Sequence, residues 1–367
     1  MTHEKMTIIL LITGLALLIV GADLLVKGAS RIAFALKISP LVVGLTVVAF
    51  GTSSPELAVS IESSLSGQES ITFGTIVGSN IFNVLFILGV SALILPLFVS
   101  KQLLRLEVPL MIGLSVLVWV FSLNGIFSRF EGFVLSAGLI GYITFLIVQS
   151  RKGWVQPIEP DIKKFEYSGS KLKLWVLNSS MVAGGLALLM VGSTWFLGGA
   201  VSIAEILGVS ETIIGLTIVA AGTSMPEVVT SIMAVIRGER EIAVGNVVGS
   251  NIFNILGVLG ISAMIAPGGL EITESFIRFD IPVMIAVALA CLPIFFTGGV
   301  ISRGEGALLL GYYITYTFYL ILASSQHSSL PVFSSVMLWF VIPITITVLV
   351  IVVYQQVIKN NKTPSEN

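Results

Sequence analysis

Gly51-Thr52-Ser53-Ser54-Pro55-Glu56 and Gly222-Thr223-Ser224-Met225-Pro226-Glu227 are nearly the same polar hexapeptide, set twice into apolar sequence. A second pair behaves alike: Gly78-Ser79-Asn80-Ile81-Phe82-Asn83 returns as Gly249-Ser250-Asn251-Ile252-Phe253-Asn254. Both pairs are 171 residues apart. At that offset residues 39–61 and 210–232 align without gaps with 13 of 23 positions identical, and 74–92 and 245–263 with 13 of 19. Fainter echoes follow: SRFEG at 128–132 against SRGEG at 302–306, and Gly21 against Gly192. The chain contains one unit twice.

The surroundings decide the solvent. Of 367 residues, 55% are apolar and 11% charged, against about 25% charged in a soluble domain. Most of this chain is built for lipid. Apolar runs long enough to span a bilayer lie near 6–26, 39–61, 71–97, 106–127, 132–150, 174–204, 212–236, 242–267, 280–300, 305–324 and 332–357. The first is too long for a signal peptide, and Asp23 and Lys27 follow it where a cleavage site would be. With the N-terminus outside, the loops facing the cytoplasm hold 16 of the 19 Lys and Arg; only Lys5, Arg129 and Arg278 fall outside. That asymmetry predicts N-terminus out, C-terminus in the cytoplasm, and a multi-pass protein of the cell membrane.

The expected fold is all-α. Residues 1–150 form a first five-helix repeat, 151–173 a basic cytoplasmic linker, 174–325 a second five-helix repeat, and 326–367 an eleventh helix and tail. Five is odd, so the second repeat enters the membrane upside down. Inverted repeats are the plan of secondary transporters, with the substrate site at the repeat interface near the midplane.

Glu56 and Glu227 are read as the only carboxylates well inside a span. A charge at the bilayer centre costs about 2.5–3.5 kcal/mol on insertion scales. No Lys or Arg lies inside a span to offset them, so the partner is a cation or a proton from outside the chain. Pro55 and Pro226 break the helix at Gly51 and Gly222, freeing carbonyls such as those of Ala49, Thr52, Ala220 and Thr223. Unwound carbonyls beside a carboxylate make a cation site. Thr52 and Glu56, Thr223 and Glu227, Ser79 and Asn83, and Ser250 and Asn254 are each four residues apart, so each pair shares a helix face. Carboxylate, hydroxyl, amide and carbonyl oxygens suit a hard cation such as Ca²⁺. Thiolates and imidazoles are missing: Cys291 stands alone, and His3 and His327 lie at chain ends or loops. Small and hydroxylated residues also serve plain helix packing; both motifs repeated with Pro and Glu weigh against that reading. No span offers the paired aspartates or Ser-His pair of an intramembrane protease, so an enzyme is not expected.

These segments resemble the two alpha repeats of the sodium/calcium exchanger family, within the calcium/cation antiporter superfamily, from about residue 10 to 324. The resemblance implies ten core helices, with the second, third, seventh and eighth around four ion positions. It implies that Glu56, Thr52, Ser53, Ser79 and Asn83, with Glu227, Thr223, Ser224, Ser250 and Asn254, bind Ca²⁺ and Na⁺ in turn. It implies electrogenic Ca²⁺/Na⁺ antiport by alternating access, with helices one and six sliding across the site. Ions and lipid are then the partners, with no cofactor, no nucleic acid and no obligate protein partner. Two departures sharpen this. Many prokaryotic relatives and the potassium-dependent exchangers have Asp where this chain has Asn254, so K⁺ co-transport is not expected. Proton/calcium exchangers carry a GN-x-x-E-H pattern; here Gly78 and Gly249 stand where that Glu would be. A proton/calcium antiporter using the same glutamates is the alternative. A cation channel is another, distinguished by flux without counter-ion dependence.

Overall fold

The computed structural model describes residues 2–36, 38–151, 171–208, 218, 220–296 and 298–362. Most of the expected linker and most of the first half of the seventh span lie outside these. Among the described residues nine helices are long and apolar enough to cross a membrane, or ten with one bent pair counted as a span. In chain order the helices are α1 (Met6–Leu36), α2 (Pro40–Thr52 and Ser54–Leu65), α3 (Glu69–Ile94), α4 (Leu103–Ser122), α5 (Arg129–Ser150) and α6 (Trp175–Ile206). The shorter α7 (Met225–Ile236) follows, then α8 (Arg240–Ile265), α9 (Phe276–Phe296), α10 (Arg303–Ser324) and α11 (Leu330–Val352).

The local causes repeat with the sequence. The SRFEG and SRGEG echoes are helix starts. Ser302 and Glu305 form a reciprocal capping box on α10, and Glu131 accepts from Ser128 N at 2.6 Å to open α5 in the same way. At Asn83–Leu88 and at Asn254–Leu259 the helix widens to a π-helical turn, a feature frequent at functional sites. α3 and α8 are the innermost spans, with 78% and 83% of their apolar stretch buried, against none for α11. The eleventh helix is peripheral, tied to α10 by Tyr312 Oη–H donating to Thr345 Oγ1 at 2.7 Å.

The two halves are inverted, and α1 against α6 shows it. Gly14, Gly21 and Gly28 recur every seven residues, and Gly185, Gly192 and Gly199 answer them 171 residues later. A Cβ on Gly21 would sit 2.8 Å from Gly185 O, and one on Gly14 2.8 Å from Gly192 O. Low numbers in α1 meet high numbers in α6, so two equivalent helices run antiparallel with their backbones nearly touching. Two short ribbons obey the same relation. β1 (Leu97–Phe98) pairs with β4 (Val300–Ile301), and β2 (Ile126–Phe127) with β3 (Leu270–Glu271). Exchanging the repeats turns one ribbon into the other.

The first span is longer than its apolar run. It continues to Leu36, ten residues past the expected end at 26. Asp23, Lys27 and Arg31 therefore belong to α1 and not to the loop after it. The charges of Asp23 and Lys27 are tolerated there because they are paired: Asp23 takes Lys27 at 2.6 Å, one turn on, and also Arg237 at the end of α7, while Arg31 donates to Met181 Sδ at 3.7 Å. Ser30 Oγ–H donates to Glu239 at 2.6 Å just beyond.

Candidate cation site

Both glutamates stand where a helix restarts. α2 bends by 43° at Ser53. There φ is −82° and ψ 8°, and Ser224 repeats this at −87° and 10°. Pro55 and Pro226 lie in the first turn of the new helix, where the missing N–H costs nothing. Glu56 and Glu227 sit in that same turn, at the positive end of the helix dipole. Ala49 O is not left bare by the break; it accepts the Ser53 N–H at 3.0 Å. Its second lone pair is approached by Thr52 Oγ1 at 3.4 Å, but that hydroxyl has Asn246 Oδ1 nearer, at 3.1 Å, so the oxygen stays available to a ligand. Ala220 opens the equivalent turn, Ala220–Thr223.

The repeats interlock through these residues. Ser53 Oγ–H donates to Glu227 Oε1 at 2.9 Å, and Ser224 Oγ–H to Glu56 Oε1 at 2.9 Å. Ser224 Oγ also lies 2.9 Å from Ser79 Oγ. Thr52 Oγ1–H donates to Asn246 Oδ1 at 3.1 Å. Thr223 is buried beside them. Each carboxylate is thus fixed by the serine three residues before the other, which gathers both into one buried cluster.

What the four repeated motifs leave unsatisfied is the informative part. Glu56 Oε2, Glu227 Oε2, Asn83 Oδ1, Asn254 Oδ1 and Ser250 Oγ are all buried with no hydrogen-bond partner. Buried polar atoms are rarely left so. Glu56 is wholly buried and Glu227 is 1% exposed, and among the described residues no Lys or Arg nitrogen pairs with either. Four of the five are acceptor oxygens. Such a set calls for a positive ligand, and its hard oxygens suit Na⁺ or Ca²⁺. Among the described residues no three His, Cys, Asp or Glu side chains group as a transition-metal centre would need.

Three elements escaped the sequence reading. Asn80 and Asn251, the middle residues of the GSN triplets, bond across the repeat boundary. Asn246 holds Thr52 and donates to Ser231 Oγ at 3.0 Å; its equivalent in the first half is Thr75, so symmetry did not flag it. The third is a correction. Glu56 and Glu227 are not the only carboxylates buried in spans: Glu107 in α4 is wholly buried. It accepts from Tyr142 Oη at 2.6 Å and Gln102 Nε2 at 3.0 Å. Asp280 in α9 accepts from Tyr316 Oη at 2.9 Å in the same manner. RLEVP at 105–109 and RFDIP at 278–282 were the overlooked repeat. These acids stand at the very start of their spans, and neighbouring hydroxyls satisfy them.

A model of the sodium/calcium exchanger protein family matches residues 6–148 and 178–322, which is both repeats. The chain belongs to the sodium/calcium exchanger family. Within it, the chain is 37% identical over 316 residues to the putative antiporter CaxA of Alkalimonas amylolytica, covering 85% of this chain and 98% of that one. It is 35% identical over 342 residues to the sodium/calcium exchanger MaX1 of Methanosarcina acetivorans, covering 84% and 96%. The fold is similar to that of the sodium-calcium exchanger NCX_Mj soaked with Na⁺ and Sr²⁺, with TM-score 0.72 and 30% identity over 84% of this chain and 97% of that one. This exchanger is accordingly an all-α membrane transporter of two inverted five-helix repeats and not an enzyme.

Proposed function

We propose that this exchanger moves Ca²⁺ against Na⁺ through the cluster around Glu56 and Glu227. The observation that carries the reading is the set of unpartnered buried oxygens on Glu56, Glu227, Asn83, Asn254 and Ser250. One Ca²⁺ binds between the two glutamates, whose charges it neutralises in full, helped by the carbonyls of Thr52 and Thr223. About three Na⁺ occupy the same position and its flanks, using Ser53, Ser224, Ser79, Ser250 and the carbonyls of Ala49 and Ala220. Both states need both glutamates, so they exclude each other, and that exclusion couples the two fluxes.

Three Na⁺ for one Ca²⁺ carries one net charge, worth about 2.3 kcal/mol per 100 mV. Exchange is electrogenic and, with Asn254 neutral, independent of K⁺. α1 and α6 slide together across the site, opening one end at a time. The chain sits in the cell membrane with its N-terminus outside and C-terminus in the cytoplasm, and works without an obligate protein partner.

Ca²⁺ uptake into liposomes loaded with Na⁺, with K⁺, or with a pH gradient tests this. Uptake is expected with internal Na⁺ alone, and faster when the inside is made positive, because three Na⁺ leaving for one Ca²⁺ entering moves one net positive charge outward; a valinomycin clamp fixes that sign. Uptake driven by a pH gradient and not by Na⁺ identifies a proton/calcium antiporter instead.

A further inference from the structure

The four asparagines at the crossing of α3 and α8 form a closed network with only one consistent orientation. Asn80 Nδ2–H donates to Asn251 O at 3.4 Å and to Met284 Sδ at 3.6 Å. Asn251 Nδ2–H donates to Asn80 O at 3.2 Å and to Met111 Sδ at 3.5 Å. A backbone carbonyl and a thioether can only accept. Each amide therefore turns its nitrogen toward them and its oxygen the other way. Asn80 Oδ1 then accepts from Asn254 Nδ2 at 3.1 Å, and Asn251 Oδ1 from Asn83 Nδ2 at 3.0 Å. This leaves Asn83 Oδ1 and Asn254 Oδ1 turned away from the network, buried and without a partner. The orientation follows from acceptor-only groups at the ends of the chain of bonds and not from an arbitrary choice between oxygen and nitrogen.

We propose that Asn80 and Asn251 are positioning residues for transport, each locking the opposite repeat's Asn254 or Asn83 so that its carbonyl oxygen faces the cation. The inference rests on the exchange reading above. An unlocked amide can rotate and present its NH₂, which repels a cation. The lock removes that option before the ion arrives, so the site is preorganised for charge. The partnership is diagonal: Asn80 serves Asn254, and Asn251 serves Asn83. Neither acts on the asparagine three residues away in its own motif.

Diagonality supplies the test. Na⁺-dependent Ca²⁺ uptake into liposomes gives half-saturation for Ca²⁺ in wild type, Asn80→Ala, Asn83→Ala, Asn254→Ala and the double variants. Asn80→Ala is expected to raise half-saturation about tenfold, the equivalent of one hydrogen bond, while maximal flux changes much less. In the Asn254→Ala background the same change should add nothing. In the Asn83→Ala background it should add its full effect. Equal, additive losses in both backgrounds overturn the proposal and leave Asn80 a packing residue. If Asn80→Ala does not fold, the mirror set built on Asn251→Ala asks the same question, and Asn80→Ser retains a donor and an acceptor in the same space. Wild-type liposomes separate the two levels: no Na⁺-dependent uptake at all refutes the exchange reading, whereas normal uptake with additive variants refutes only the lock.

Discussion

The Ser53 hydroxyl donates to Glu227 Oε1 at 2.9 Å, joining the break in α2 to the carboxylate of the opposite repeat. The bond does two things. It satisfies one oxygen of a buried acid, and it leaves the other, Oε2, without a partner. A hydrogen bond to a charged group contributes about 1.5–3 kcal/mol. Ser53→Ala is expected to weaken Ca²⁺ binding by about tenfold or more, and Ser224→Ala, whose hydroxyl meets Glu56, by a similar factor. Calcium titration of the purified variants measures both. Losses that differ widely between the two would show that the pseudo-symmetry does not extend to energetics.

Glu56→Gln and Glu227→Gln probe charge without changing shape. The bound cation loses half of its counter-charge in either variant. Exchange is expected to fall by at least about a hundredfold in each, a loss of about 2.7 kcal/mol or more. Folding is expected to survive, because a neutral amide is cheaper to bury than a carboxylate. Flux assays beside thermal unfolding in detergent check the pair of statements. Near-normal exchange in both variants would remove the site assignment.

Most of the fold was readable because its two signals are long. Spans are apolar runs, and the repeat is a gapless alignment at one offset, so helix number and inversion both followed. The glutamates were readable because lipid makes an unpaired acid conspicuous. The end of α1 was not, since Asp23, Lys27 and Arg31 look like a loop until Arg237 and Glu239 arrive from 200 residues away in sequence. Glu107 and Asp280 were hidden for a related reason: they sit at span edges, where an acid is expected to meet water, and only the fold brings Tyr142 and Tyr316 to them. Asn80 and Asn251 stand in the repeated GSN triplets, but their role depends on how α3 crosses α8, which no spacing encodes.

The Asp23–Arg237 ion pair joins α1 to the end of α7 at one end of the bundle. The positions 171 residues away, Thr194 and Ser66, carry no charge. Opening that end by moving α1 has to break the pair, while opening the other end does not. The groups are partly exposed, which limits the pair to about 1 kcal/mol, or about fivefold in population. Asp23→Asn is expected to speed labelling of a cysteine placed at the buried Ala234, in a Cys291→Ser background, by about that factor. Unchanged labelling would mean that the pair does not restrain this end.

Neighbouring glycines in α6 give an internally controlled test of the α1–α6 contact. A Cβ on Gly185 would lie 2.7 Å from Gly21 O and 2.7 Å from Leu25 N, whereas one on Gly184 meets nothing within 4 Å. The obstacles at Gly185 are backbone atoms, which cannot swing aside, so the helices have to separate. Overpacking of this kind costs about 1–3 kcal/mol. At Gly184 the same methyl restricts only the unfolded chain and favours the helix by about 0.5–1 kcal/mol. Gly185→Ala is therefore expected to lower the thermal midpoint and Gly184→Ala to hold or raise it. Exchange should slow in Gly185→Ala with little change in calcium half-saturation, because the contact carries motion and touches no ion. A similar loss of stability in both variants would show that helix propensity, and not the closeness of the two backbones, sets the response.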